Sequence, residues 1–169
     1  LSANGYELLH HSPNDGSGFS ASVFKNKRTN EITITFRGTE FLPNLDPQDI
    51  AADADILTIG YARQQIISAY NYYQRLITPV GQTAQQLVEE PTDQPPTDGR
   101  PFTTPPGATQ FLSYRVVSTG EGLGQLMPTD HVTVTGHSLG GHLAVAFSRL
   151  FAGVVDHAYA YNAPGFGTN

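Results

Sequence analysis

Apolar and polar residues alternate over Ile32-Thr33-Ile34-Thr35-Phe36 and again over Val132-Thr133-Val134-Thr135. A period of two sends successive side chains to opposite faces, so both segments predict strands. The turn formers Lys25-Asn26-Lys27-Arg28-Thr29-Asn30 join the first of them to residues 19–24 as a hairpin. Residues 154–161 read as a further apolar strand, stopped by Asn162-Ala163-Pro164-Gly165. The spacing changes to three and four over residues 60–77, where Ala62, Ile66, Ala69, Tyr70, Tyr73 and Ile77 mark one face of a helix. Tyr70, Tyr72 and Tyr73 then read as half-buried helix aromatics, not as a stacking platform. A second helix is expected over residues 141–151. Strand, helix and strand at these lengths form the βαβ pattern of a parallel sheet.

Two stretches carry no such period. Residues 41–49 hold two prolines and several turn formers, which predicts a loop. From Thr78 to Gly107 the chain includes EEPTDQPPTDGRPFTTPPG, dense in proline, and this predicts an extended surface excursion. Residues 108–127 are expected to hold a helix interrupted at Gly120, Gly122 and Gly124.

Composition narrows the function classes. The 169 residues carry a formal net charge of -6, which argues against nucleic acid as a partner, since phosphate binding needs clustered Lys and Arg. The absence of cysteine excludes disulfides, thiolate metal sites and a Cys nucleophile. No apolar run approaches the length of a membrane span.

The chemistry-bearing stretch is Gly136-His137-Ser138-Leu139-Gly140, set between a β-branched strand and an apolar helix. A serine hydroxyl is a weak nucleophile and must protrude where a base and a substrate carbonyl reach it together. A sharp strand-to-helix turn does this, and the crowding it creates requires glycine at the neighbouring positions. The helix start would also aim backbone N–H groups at a developing oxyanion, that of Leu139 among them. Ser138 is therefore the candidate nucleophile.

The segments ITITFRGTE, DIAADADI, VTVTGHSLGGHLA and YAYNAPGFG, in that order, resemble the class 3 lipase family, serine esterases of the α/β-hydrolase fold. The resemblance covers less than half of the chain. It implies an α/β fold: an α/β-hydrolase-like, mostly parallel sheet flanked by helices, incomplete in this chain. Residues 1–169 would then be the N-terminal portion of one lipase-like domain. It also implies that Thr39 forms the oxyanion hole with Leu139, and that the substrate is a carboxylic ester or lipid. No cofactor and no metal enter such a reaction. Arg37 reads as a strut paired with an acid between Asp49 and Asp55, and His137 as structural.

A serine hydrolase also needs a base and an acid to orient it, in the chain order serine, acid, histidine. After Ser138 only Asp156, His142 and His157 are available. His142 is fixed in the same helix as the serine, and Asp156 and His157 point to opposite faces of a strand. The acid and base are expected beyond this chain, in a C-terminal remainder of the same domain. The alternatives are a non-catalytic fragment or pseudo-enzyme that binds a partner through its Pro-rich segment, or a thioesterase or peptidase.

Overall fold

A computed structural model describes residues 5–38, 47–104 and 107–165, leaving aside the side chains of 47–61. The larger sheet joins β1 (Tyr6–Ser12), β2 (Ala21–Asn26), β3 (Ile32–Phe36), β7 (Val132–His137) and β8 (Val155–Tyr161), in that spatial order. It is mixed: β1, β2 and β3 are antiparallel neighbours, whereas β3, β7 and β8 run parallel. Between β3 and β7 the chain forms α1 (Pro47–Ile77) and a separate antiparallel sheet of β4 (Thr83–Thr92), β6 (Phe111–Glu121) and β5 (Phe102–Thr103). The second helix, α2 (Leu139–Leu150), crosses from β7 to β8.

The expected mostly parallel sheet flanked by helices is therefore wrong. The chain has a five-stranded mixed sheet, a three-stranded antiparallel sheet and, among the described residues, two helices. The physical reason was present in the alternation itself. Parallel strands covered on both faces read as continuous apolar runs, whereas alternation marks a strand packed on one face only. Ile32, Ile34, Phe36, Val132 and Val134 join Ala69, Tyr72, Tyr73, Leu76, Leu143 and Phe147 in one core, so both helices lie on that face. Thr33 and Thr35 stand beside Thr133 and Thr135 on the opposite face, each half-buried.

Three segment expectations also change. β4 and β5 lie within the Pro-rich stretch, where an extended excursion was expected. Pro91 is tolerated because β4 is an edge strand, which leaves room for a residue without an N–H. Residues 111–121, expected within a broken helix, form β6, in keeping with the strand preference of Phe111, Tyr114, Val116, Val117 and Thr119. α1 begins at Pro47, inside the expected loop, with proline at the first helical position, where its missing N–H costs nothing. β1 had no counterpart in the sequence reading.

α1 sets the direction of the second sheet. Its C-terminal end lies ahead of β7, where Leu76 O accepts the Gln125 and Leu126 N–H groups. Further up, Gln65 Nε2 donates to Ser17 O, in the turn beside the exit of β3. The second sheet climbs along α1 from Arg75, which bonds Glu121 O, to Arg63, which pairs with Glu89. The outer ends of β4 and β6 consequently lie toward the N-terminal half of α1.

Candidate functional site

Ser138 sits between the last residue of β7 and the first of α2, half-buried, with φ 56 and ψ -128. Residues other than glycine rarely adopt positive φ, and holding one there costs about 1–3 kcal/mol. Its environment enforces the conformation. The Ser138 N–H donates to Tyr161 O at 2.8 Å, and Ser138 O accepts from the N–H groups of Gly141 and His142 at 2.9 and 3.2 Å. Serine is among the best N-cap residues because its hydroxyl folds back onto the first helical turn. Here Ser138 stands at the N-cap position and makes no side-chain cap bond.

The flanking glycines are required by contact distances. A Cβ on Gly136 would lie 2.2 Å from Gly140 C and O, and one on Gly140 would lie 2.3 Å from Phe36 O. Gly38, at the exit of β3, closes against the same corner: its Cβ would meet His137 O at 2.8 Å and Ser138 Cβ at 3.6 Å. Thr39, expected to supply an oxyanion donor, lies outside the described residues, as do the side chains of Asp49 to Asp55. Leu139 opens α2, so its N–H is among those without a partner inside the helix. The first turn of α2 carries no acidic residue, so the positive end of its dipole stays uncompensated there.

All six histidines are described, and the ring-nitrogen bonds that follow end on groups other than Ser138. His10 Nδ1 meets the Tyr72 hydroxyl at 2.9 Å, on the helix side of β1, and burial with the charges of Arg75 and His11 holds its pKa below the ordinary value. His11 meets Ser22 Oγ. His137 Nε2 accepts from Asn162 Nδ2 at 3.4 Å, and His142 Nδ1 donates to Pro164 O at 3.2 Å. His157 packs beside Tyr159. The chain does contain an acid–histidine pair, His131 Nδ1 to Asp156 Oδ1 at 2.7 Å. It lies at the opposite end of β7, about 20 Å from Ser138 for a six-residue strand, and cannot serve as its base.

Asp156 and His157 therefore make no pair with each other, as their adjacent positions in a strand required, and His142 is tied to the loop after β8. The sequence reading missed two neighbours of the elbow. Asn162, read only as a strand stop, has φ 47 and bonds His137. Ala163 packs so closely on α2 that a Cβ on Gly141 would lie 2.9 Å from its own. A cleft lined by Leu87, Arg100, Pro101, Tyr114 and Val116 belongs to the second sheet and has no part of the elbow in its lining. Among the described residues, no group of three or more His, Asp or Glu could hold a metal ion, and no helix is long and apolar enough to cross a membrane.

The strain at Ser138 has a measurable consequence. Ser138→Gly should raise stability by about 1 kcal/mol, as ~1–3 kcal/mol of relieved strain is partly offset by the greater freedom of glycine in the unfolded chain. Ser138→Ala retains the strain and should not share the gain. Denaturant unfolding of both variants separates backbone strain from the hydroxyl, and a destabilised glycine variant would contradict the strain assignment.

Comparison with protein-family models, curated proteins and solved structures finds no match for this chain.

Proposed function

We propose that Ser138 is the nucleophile of a serine hydrolase that cleaves carboxylic esters, of lipase or esterase type, through an acyl-enzyme. The observation that carries this reading is a strained serine at a strand-to-helix corner, at an N-cap position, whose side chain does no capping. The corner is an expensive place for a serine, and exposure of the hydroxyl to an incoming carbonyl explains the cost. The Leu139 N–H at the start of α2 is positioned to receive negative charge as it develops on that carbonyl oxygen. Thr39, which follows Gly38 directly, is the proposed second donor.

Proton transfer is the incomplete part. Attack by Ser138 Oγ requires its proton to pass to a base, and the ring nitrogens of His10, His11, His131, His137 and His142 bond to other groups. The proposal places the catalytic acid and base in polypeptide outside residues 1–169, so that these residues form one portion of the catalytic domain. Such a chain holds a shaped but unactivated nucleophile. A positioned base contributes about 10²–10⁴ in rate, and its absence predicts slow chemistry, not none.

Labelling with a fluorophosphonate tests both halves of the reading. The folded 169-residue chain should be modified slowly and at Ser138 alone, and free imidazole, as a diffusing base, should accelerate the reaction about tenfold or more. Ser138→Ala should remain unlabelled. A folded chain that stays unlabelled even with imidazole, or that labels equally at other serines, would defeat the proposal and favour a non-catalytic binding module.

A further inference from the structure

The second sheet is attached to the molecule in an unusual way. Ala84, at the foot of β4, is buried at 1 % exposure, and from Gln85 to Glu121 no described residue belongs to the hydrophobic core or packs against it as a partly buried apolar side chain. Among the described side chains of α1, polar bonds join the sheet to the helix. Asn71 brackets the backbone of Leu87: its Oδ1 accepts the Leu87 N–H at 2.6 Å and its Nδ2 donates to Leu87 O at 3.0 Å. Gln86 Nε2 donates to Asn71 O at 3.2 Å. Nearer the turn, Arg63 Nε donates to Glu89 Oε2 at 2.6 Å and Nη2 to Oε1 at 3.3 Å. The apolar pair Phe102–Phe111 is internal to the sheet.

The base has a different character. Leu123 N–H bonds Arg75 O, Gly124 N–H bonds Thr78 O, and Leu126 belongs to the core. Gly81 and Gly124 hold φ of 81 and 56 where the chain leaves and rejoins this anchored region. Glycines of positive φ thus mark the edge of a fixed base that includes Ala84, and beyond it the contacts with the described side chains of α1 are polar.

We infer that β4, β5 and β6 form a hinged arm, latched to α1 by Asn71 and by the Arg63–Glu89 pair, which leaves α1 while the five-stranded sheet stays folded. Apolar docking would oppose release in proportion to the area exposed, but hydrogen bonds and ion pairs are largely replaced by bonds to water when they open. Once free, the arm is a three-stranded sheet with no core beneath it, which is marginal by itself. Its ladder should then open locally as a unit of lower stability than the body.

Residue-resolved amide exchange on the 169-residue chain tests this inference. The Leu87 amide and the β4–β6 ladder should exchange at least tenfold faster than the amides of Ile34 and Val134. Asn71→Ala combined with Arg63→Met should accelerate the arm about tenfold further and leave Ile34 and Val134 unchanged. Should that variant fail to fold, Asn71→Ala alone should still speed the arm selectively. One common exchange rate for arm and body would overturn the hinged arm. So would equal acceleration of both in either variant, or arm rates unchanged in both.

Discussion

Gly136→Ala is expected to cost about 3 kcal/mol or more, the upper end of what overpacking a dense site does. The added methyl has nowhere to go. It would lie 2.2 Å from both the carbonyl carbon and the oxygen of Gly140, and 2.7 Å from Gly141 N. These are backbone atoms of the first turn of α2, so no side-chain rotation relieves the clash. α2 must move away from β7, and Ser138, whose carbonyl accepts the Gly141 and His142 N–H groups, must move with it. Labelling at Ser138 should fall with stability, as the nucleophile loses its corner. Gly153→Ala supplies the comparison, since its added methyl would have no neighbour within 4 Å. Denaturant midpoints for the two variants check the prediction, and similar midpoints would show that the elbow relaxes more easily than its contacts indicate.

Phe147→Ala should destabilise the chain by about 3–5 kcal/mol. Phe147 is 1 % exposed and joins elements that are distant in sequence. Its ring lies 5.4 Å from that of Phe36 on β3, 5.3 Å from that of Tyr73 on α1, and 4.6 Å from that of Phe151 beyond α2. Removing it leaves a cavity bounded by a sheet and two helices, which cannot all close in together. Phe147→Leu retains most of the volume and should cost less than about 1.5 kcal/mol. Phe102→Ala, on the arm, removes a ring that is 47 % exposed and should cost roughly 1 kcal/mol or less. Urea unfolding with an unchanged slope would attribute the losses to the native core. Equal effects at Phe147 and Phe102 would contradict the location of the core.

Much of the elbow was legible locally. Val132 to Thr135 alternate, the glycines at 136 and 140 bracket a serine, and an apolar helix follows; each is a short-range signal. The structure places them as a strand, a corner and a helix, with Gly136 and Gly140 in contact. The separation of Asp156 from His157 was equally readable, because neighbours in a strand face opposite ways. That Asp156 pairs with His131 was not readable, since this depends on β7 and β8 lying side by side in parallel register. The approach of Gly38 to Ser138 was expected through the family resemblance alone, which sets Thr39 beside Leu139, because it requires the ends of β3 and β7 to meet.

The sheets divide along the same line. Proline density in residues 91–106 obscured the strands on either side, because composition reports the turn and not the partner of the segment before it. Thr83 to Thr92 becomes a strand by pairing with Phe111 to Glu121, and no window of the sequence contains both. Periodicity and the glycine-flanked serine by themselves determined that β3, β7 and α2 exist, that one face of each strand is polar, and that Ser138 is cramped. Those are steric and solvation preferences of neighbouring residues. Only the tertiary structure decided that both helices share one face, that Asn71 and Arg63 bond the second sheet to α1, and that the pair of His131 and Asp156 stands at the far end of β7 from Ser138. These depend on strand register and chain crossing, which bring together residues that the sequence keeps far apart.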